Sequence, residues 1–393
     1  LPDARLASAV AAAIAAPKRD ADSSFLTHAP LELAARFQLL PMVDPGARDG
    51  VRRRIAAIAG DYARAGEEVE TEAGSFSDEA AAIRFLRRAI REGDADGADA
   101  ALLYLLPCAP AAALGAAIAG DLLPMLGAAG HAPIFLADLP RLDGRLDGAG
   151  RLLRAQVVMI AREAQLRLRW HESAGAADFT GDAEAELFDR LRAPPHVASP
   201  SAYIAPTMLA VEAGGYAAER LGDVTAALSV EAPARAILRS AAYSMLQDDP
   251  TSAPYGWTHA LTMPLGIFGC GPMVADKRAL VRIAATYALG FRATLGKAKI
   301  EAAPPPKPRD DAIQDGAPIE AAGAVYHAQA GDLPDLRTRL ATRAAAHPDA
   351  HLAKYTLAAF EAAARDPQAA RLYLAAAAWL GAWWDAHPGA SFE

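Results

Sequence analysis

Residues 347–384, "HPDAHLAKYTLAAFEAAARDPQAARLYLAAAAWLGAWW", decide how the chain is read. Leu, Phe, Tyr and Trp recur at three- and four-residue spacing, alternating β-branched runs are missing, and proline stands at two helix entries, Pro348 and Pro367. That periodicity belongs to helices, and the prolines fall where a first turn needs no backbone N–H. Working back toward residue 1, the same spacing persists. It predicts an all-α protein with helices over about 4–16, 31–40, 51–64, 78–92, 110–119, 149–168, 182–192, 204–220, 231–246, 274–295, 334–346, 349–364 and 367–386.

The one strong break is "EAAPPPKPRDDAIQDGAP" at 301–318, where proline stiffens the chain and charge opposes burial. We therefore expect a helical body over 1–300, a Pro-rich linker over 301–318 and a C-terminal helical-hairpin set over 319–393, within one large multi-helix domain. No period recurs three times, as a solenoid would require.

At 393 residues, 53% hydrophobic and 22% charged, the chain can build a sizeable core. A formal charge of -8 argues against nucleic acid as the main partner. Basic runs such as "GVRRRI" are interleaved with apolar residues and read as solvated helix faces. Cys108 and Cys270 are the two cysteines, too few for a disulfide framework or a four-thiolate zinc site. The greasiest region, 109–130, is interrupted by Asp121 and Pro124, and the start lacks a basic segment before its apolar run. The expectation is a cytoplasmic protein, monomer or homodimer, with no membrane partner.

Chemistry gathers around histidine. His28, His131, His259 and His351 each lie in apolar or aromatic surroundings. A single histidine in such a place is ordinarily a satisfied core residue. Four imidazoles in similar surroundings would need partners, or would repel on protonation, and a shared metal removes both problems. Lys354 follows His351 by three residues and shares its helix face. Its stem can pack while the ammonium reaches water. Alternatively it is buried beside a metal as a neutral amine that combines with carbon dioxide to give a carbamate, an anionic oxygen ligand. Phe25, Tyr255, Trp257 and Phe268 flank these positions and, where the histidines converge, would wall a pocket for a flat aromatic ligand. "GIFGCGPM" at 266–273 reads as a loop, because it lacks the glycine order of a pyrophosphate cradle. His347 sits at a helix entry, His327 is a reserve ligand, and His171, His196 and His387 read as surface residues.

Together, "SSFLTHAPLELAARFQLL", "GHAPIFLADL", "PYGWTHALTMP" and above all 347–384 resemble the questin oxidase-like family over nearly the whole chain. The resemblance implies a helical fold and a non-haem iron oxygenase that inserts oxygen next to a carbonyl, or opens a ring, of an anthraquinone-like polyketide. It also implies Fe(II) ligation by His28, His131, His259, His351 and carbamylated Lys354. The implied co-reactants are dioxygen, carbon dioxide for the lysine, and NADPH as an optional electron source. Very high alanine content and a short segment around "LPRLDGRLDGAG" depart from the fungal members. The residues alone leave two other readings open, a metal-dependent hydrolase and a non-enzymatic helical scaffold.

Overall fold

A computed structural model describes residues 1–19, 24–173, 179–201, 203–226, 229–308 and 317–390. Among them the chain forms α-helices and no strand beyond two isolated bridges. No described helix is long and apolar enough to cross a membrane.

Five helices position the site. α2 spans Ser24–Leu39, α7 Ala132–Leu142, α14 Thr258–Gly269, α18 Ala350–Arg365 and α19 Ala370–Ala386, counting every helix in chain order. α18 packs against α2, α14 and α19, and α7 packs against α14. The C-terminal helices thus share one core with the body. The proline-rich stretch is only partly described: 309–316 lie outside the described residues, Pro305 is buried with its carbonyl accepting from His327 Nε2 at 2.8 Å, and Pro318 opens the next helix.

Most predicted helices form within a few residues of the expected bounds. The expected 31–40 helix begins earlier, at Ser24, and runs through Pro30. The expected 204–220 helix is two, Ile204–Ala213 and Tyr216–Leu221. Helices at Ala95–Leu105, Ala132–Leu142, Thr258–Gly269 and Pro318–Tyr326 are not predicted by the sequence pattern. α7 carries Pro133 and Pro140, and α14 carries Pro264, Gly266 and Gly269. Local propensity disfavours such segments, but almost every side chain of α14 is buried and packing outweighs the local cost.

The loop expected over 266–273 is therefore corrected: its first four residues close α14. Gly266 is there because α7 comes so near. A Cβ would lie 2.7 Å from Ile134 N and 2.8 Å from Pro133 C, both backbone atoms that cannot swing aside. We expect Gly266→Ala to cost about 1–3 kcal/mol by forcing the helices apart, read as a lower urea midpoint at unchanged m-value.

A buried arginine in α2 ties that helix to the turn before α18. Glu32 and Arg36, both wholly buried, meet at 2.7 Å. Arg36 also donates to the carbonyls of Ala345 at 2.5 Å and His347 at 2.7 Å, at the end of the Leu333–Ala346 helix. The guanidinium caps that helix and holds the turn from which α18 starts.

Candidate metal centre

Each histidine arrives on a locally distinctive piece of backbone. His28 lies in α2 two residues before Pro30. His131 follows Ala128, Ala129 and Gly130, all left-handed at φ 49°, 51° and 70°. Alanine there costs about 1–2 kcal/mol per residue, strain of the kind held at functional sites. Gly130 has a second reason to be glycine, since a Cβ would fall 2.5 Å from the Tyr287 hydroxyl oxygen. His259 follows a π-helical turn at Ala253–Trp257, a widening often found at functional sites. His351 stands in the first turn of α18, capped by Asp349.

The four imidazoles come together in the dry interior, each no more than 2% exposed. His131 is the hub: its Nε2 lies 3.1 Å from His28 Nε2 and 3.2 Å from His259 Nε2. The ligand nitrogens of these three all fall within 4.8 Å of one another. The His351 ring centroid is 4.5 Å from that of His28 and 5.0 Å from that of His259.

The outward nitrogens determine the tautomers. His131 Nδ1 donates to the Ala128 carbonyl at 3.0 Å and His259 Nδ1 to the Tyr255 carbonyl at 2.5 Å. His351 Nδ1 donates to Asp349 Oδ1 at 3.1 Å, and His28 Nδ1 pairs with Ser24 Oγ at 3.2 Å. A carbonyl can only accept, so the His131 and His259 protons sit on Nδ1 and their Nε2 atoms are bare. Two lone pairs then face each other at hydrogen-bond distance, and the buried His351 Nε2 has no hydrogen-bond partner. Imidazole nitrogens about 2.1 Å from one ion and at near-right angles lie about 3.0 Å apart. The donor set fits a transition metal, with outward hydrogen bonds orienting each ring as they do around bound metals.

Electrostatics agree. Burial holds His28, His131 and His259 well below the ordinary imidazole pKa, with the Lys354 charge and the neighbouring rings adding to it. His351 is lowered by burial and then Lys354, against the opposing effect of its hydrogen bond to Asp349. Burial alone would raise Asp349, but hydrogen bonds from His351 and the Lys354 charge leave it below its usual value. All four imidazoles are therefore neutral near pH 7, the form that ligates. Lys354 is 4% exposed, so it lies inside the protein beside the cluster and does not snorkel.

The aromatic residues divide. The Tyr255 ring stands 4.8 Å from the His259 ring and 6.2 Å from that of His351. Phe25 lines a cavity of about 480 Å³ with Arg54, His347, Asp349 and Trp384. Asp349 lies in that wall and also holds His351, so the cavity adjoins the cluster. Trp257 and Phe268 do not join it. Trp257 is wholly buried, its indole N–H donating to the Asp249 carbonyl, with Arg292 over its ring. Phe268 sits nine residues beyond His259, about 13 Å along α14, under the Arg365 guanidinium. Both are core residues. His327 is likewise elsewhere, bonded to Pro305. His196 and His387 are exposed, whereas His171 is half-buried.

Asp349, Trp384 and Ser24 escaped the sequence reading. Signals existed: Asp349 is a capping residue two before His351, and the tripeptide His-Ala-Pro occurs at both 28–30 and 131–133. Set against known protein families, curated proteins and solved structures, the chain has no match.

Proposed function

We propose that the protein is a non-haem iron oxygenase acting on a small aromatic substrate of the anthraquinone-like polyketide class, as its resemblance to the questin oxidase-like family suggests. The observation that carries this reading is the 3.2 Å approach of two bare Nε2 atoms in a dry core, which a cation relieves and a structural role leaves unexplained. His28, His131 and His259 would hold the ion, His351 stands beside them as a fourth nitrogen donor, and Lys354, as a carbamate, would supply an oxygen. Fe(II) suits an electron-rich donor set of this kind and can pass electrons to dioxygen, which zinc cannot.

The chain's own residues do the rest. Phe25 and Trp384 line the cavity that would receive a planar ring, and the Tyr255 ring covers that of His259. Asp349 fixes the His351 tautomer from the cavity wall. Insertion of one oxygen atom, with the other leaving as water, needs a two-electron donor, for which NADPH serves. Ring opening that keeps both atoms needs none.

The test is elemental analysis of protein purified without chelators, followed by anaerobic Fe(II) loading and dioxygen uptake with hydroxylated anthraquinones. About one iron per chain and substrate-dependent uptake are expected. Absence of any bound transition metal, or bound zinc with hydrolysis and no uptake, overturns the reading.

A further inference from the structure

A second cavity, of about 30 Å³, lies between α2, α7, α14 and α18. That is room for a water or two. Its lining runs from Arg141, 42% exposed, inward past Thr262 to Lys354, 4% exposed. At the outer end, Arg141 Nη1 donates to Asp138 Oδ1 at 3.3 Å and also contacts Glu361 Oε1. Asp138 Oδ1 accepts from Gln38 Nε2 as well, at 2.8 Å. Two carboxyl groups, Asp138 buried and Glu361 partly buried, thus face one guanidinium, and like charges so placed do not both ionise readily.

Burial raises both carboxyls, Asp138 despite Gln38 and Arg141. Burial and then the Asp138 charge carry Glu361 to about 7, against Arg141. The charged groups facing the cavity are Asp138 and Arg141 from α7 and Glu361 and Lys354 from α18. α14 contributes the neutral Thr262 and, at its end, the buried Cys270 thiol, which burial and the Asp138 charge keep protonated, and α2 the neutral Gln38 against Asp138.

We propose that Asp138, Arg141 and Glu361 form a proton port, in which the two carboxyl groups hold one proton between them and pass it along cavity water toward the histidine cluster. The proposal rests on the oxygenase reading for its purpose. Breaking the O–O bond to insert one atom and release water consumes two electrons, supplied by a nicotinamide, and two protons. Glu361 gives up a carboxyl proton to cavity water and regains one from bulk solvent at the exposed Arg141 end. The port is separate from the 480 Å³ cavity, so protons and substrate take different routes.

The experiment has two arms. In metal-free protein, infrared difference spectroscopy should show a carboxylic-acid C=O band titrating near neutrality, lost in both Glu361→Gln and Asp138→Asn. No such band overturns the shared proton, whatever the protein's activity. In iron-loaded protein, Glu361→Gln should slow dioxygen uptake at least about tenfold, lose the inflection near pH 7 and raise the solvent deuterium isotope effect, with Glu361→Asp restoring part of the rate. Uptake at the wild-type rate and pH profile in Glu361→Gln overturns the port. If the wild type takes up no dioxygen, the oxygenase reading fails and the port role with it, while the infrared band is still decided by the first arm. Thermal unfolding of each variant controls for misfolding.

Discussion

Replacing His131 by alanine is expected to abolish binding of the proposed metal. Among the four clustered imidazoles its Nε2 alone lies within hydrogen-bond distance of two other Nε2 atoms, so no remaining pair keeps the short approach once it is gone. Losing an outer-shell partner alone typically costs ten- to a hundredfold in metal affinity, and loss of a ligand at the hub should exceed a hundredfold. The effect on the metal-free protein separates this from ordinary packing. A satisfied core histidine cut to alanine destabilises by an amount like other large-to-small core changes, about 2–4 kcal/mol. Here truncation also removes a lone-pair conflict and ends the strain-bearing loop's demand for a ligand, so the metal-free variant should lose less. The metal-loaded wild type, in contrast, should gain about 4 kcal/mol when free metal is a thousandfold above Kd, a gain the variant lacks. Paired thermal unfolding with and without Co(II), beside elemental analysis, reads both quantities. Metal retained by His131→Ala, or a wild type indifferent to metal, would sink the centre.

Acid should destabilise the metal-free protein steeply. The folded pKa values of His28, His131, His259 and His351 are all depressed, by burial first and then by Lys354 and neighbouring rings. In the unfolded chain each titrates near 6.5. Below that pH the unfolded state binds protons that the folded state refuses, so stability is fully present above it and falls as pH drops toward the depressed folded values. Each histidine contributes at most about 1.4 kcal/mol per pH unit, a limit reached only well below pH 6.5, so between pH 7.5 and 5.5 the four together contribute about 5 kcal/mol in total, part of it offset by Glu361, whose raised carboxyl takes up a proton in the folded state over the same range. Urea unfolding of chelator-treated protein at pH 7.5 and pH 5.5 measures the slope. His259→Ala should reduce it by about a quarter, and a flat profile between those values would show that the imidazoles are not held neutral.

The helical class, and most helix bounds outside the site, were legible in local pattern. The periodicity of 347–384 needs only each residue's near neighbours, and α18 and α19 appear within a few residues of where that spacing puts them. The candidate ligands His28, His131, His259, His351 and Lys354 could be named because four histidines recur in similar apolar surroundings, Lys354 shares a helix face with one of them, and their segments resemble a family whose site implies such ligands. What local pattern could not decide was which of these side chains meet. His28 and His131 are 103 residues apart, and His131 and His259 are 128 apart. Their approach depends on α7 and α14, helices that proline and glycine conceal from propensity, and on Gly266 letting two backbones close. The same packing turned Trp257 and Phe268 into core, brought Trp384 and Asp349 to a cavity wall, and set Asp138 against Glu361 from separate helices. Helix formation is chosen by interactions three and four residues long, whereas convergence of side chains is chosen by burial summed over the whole core, which appears only once the chain is folded.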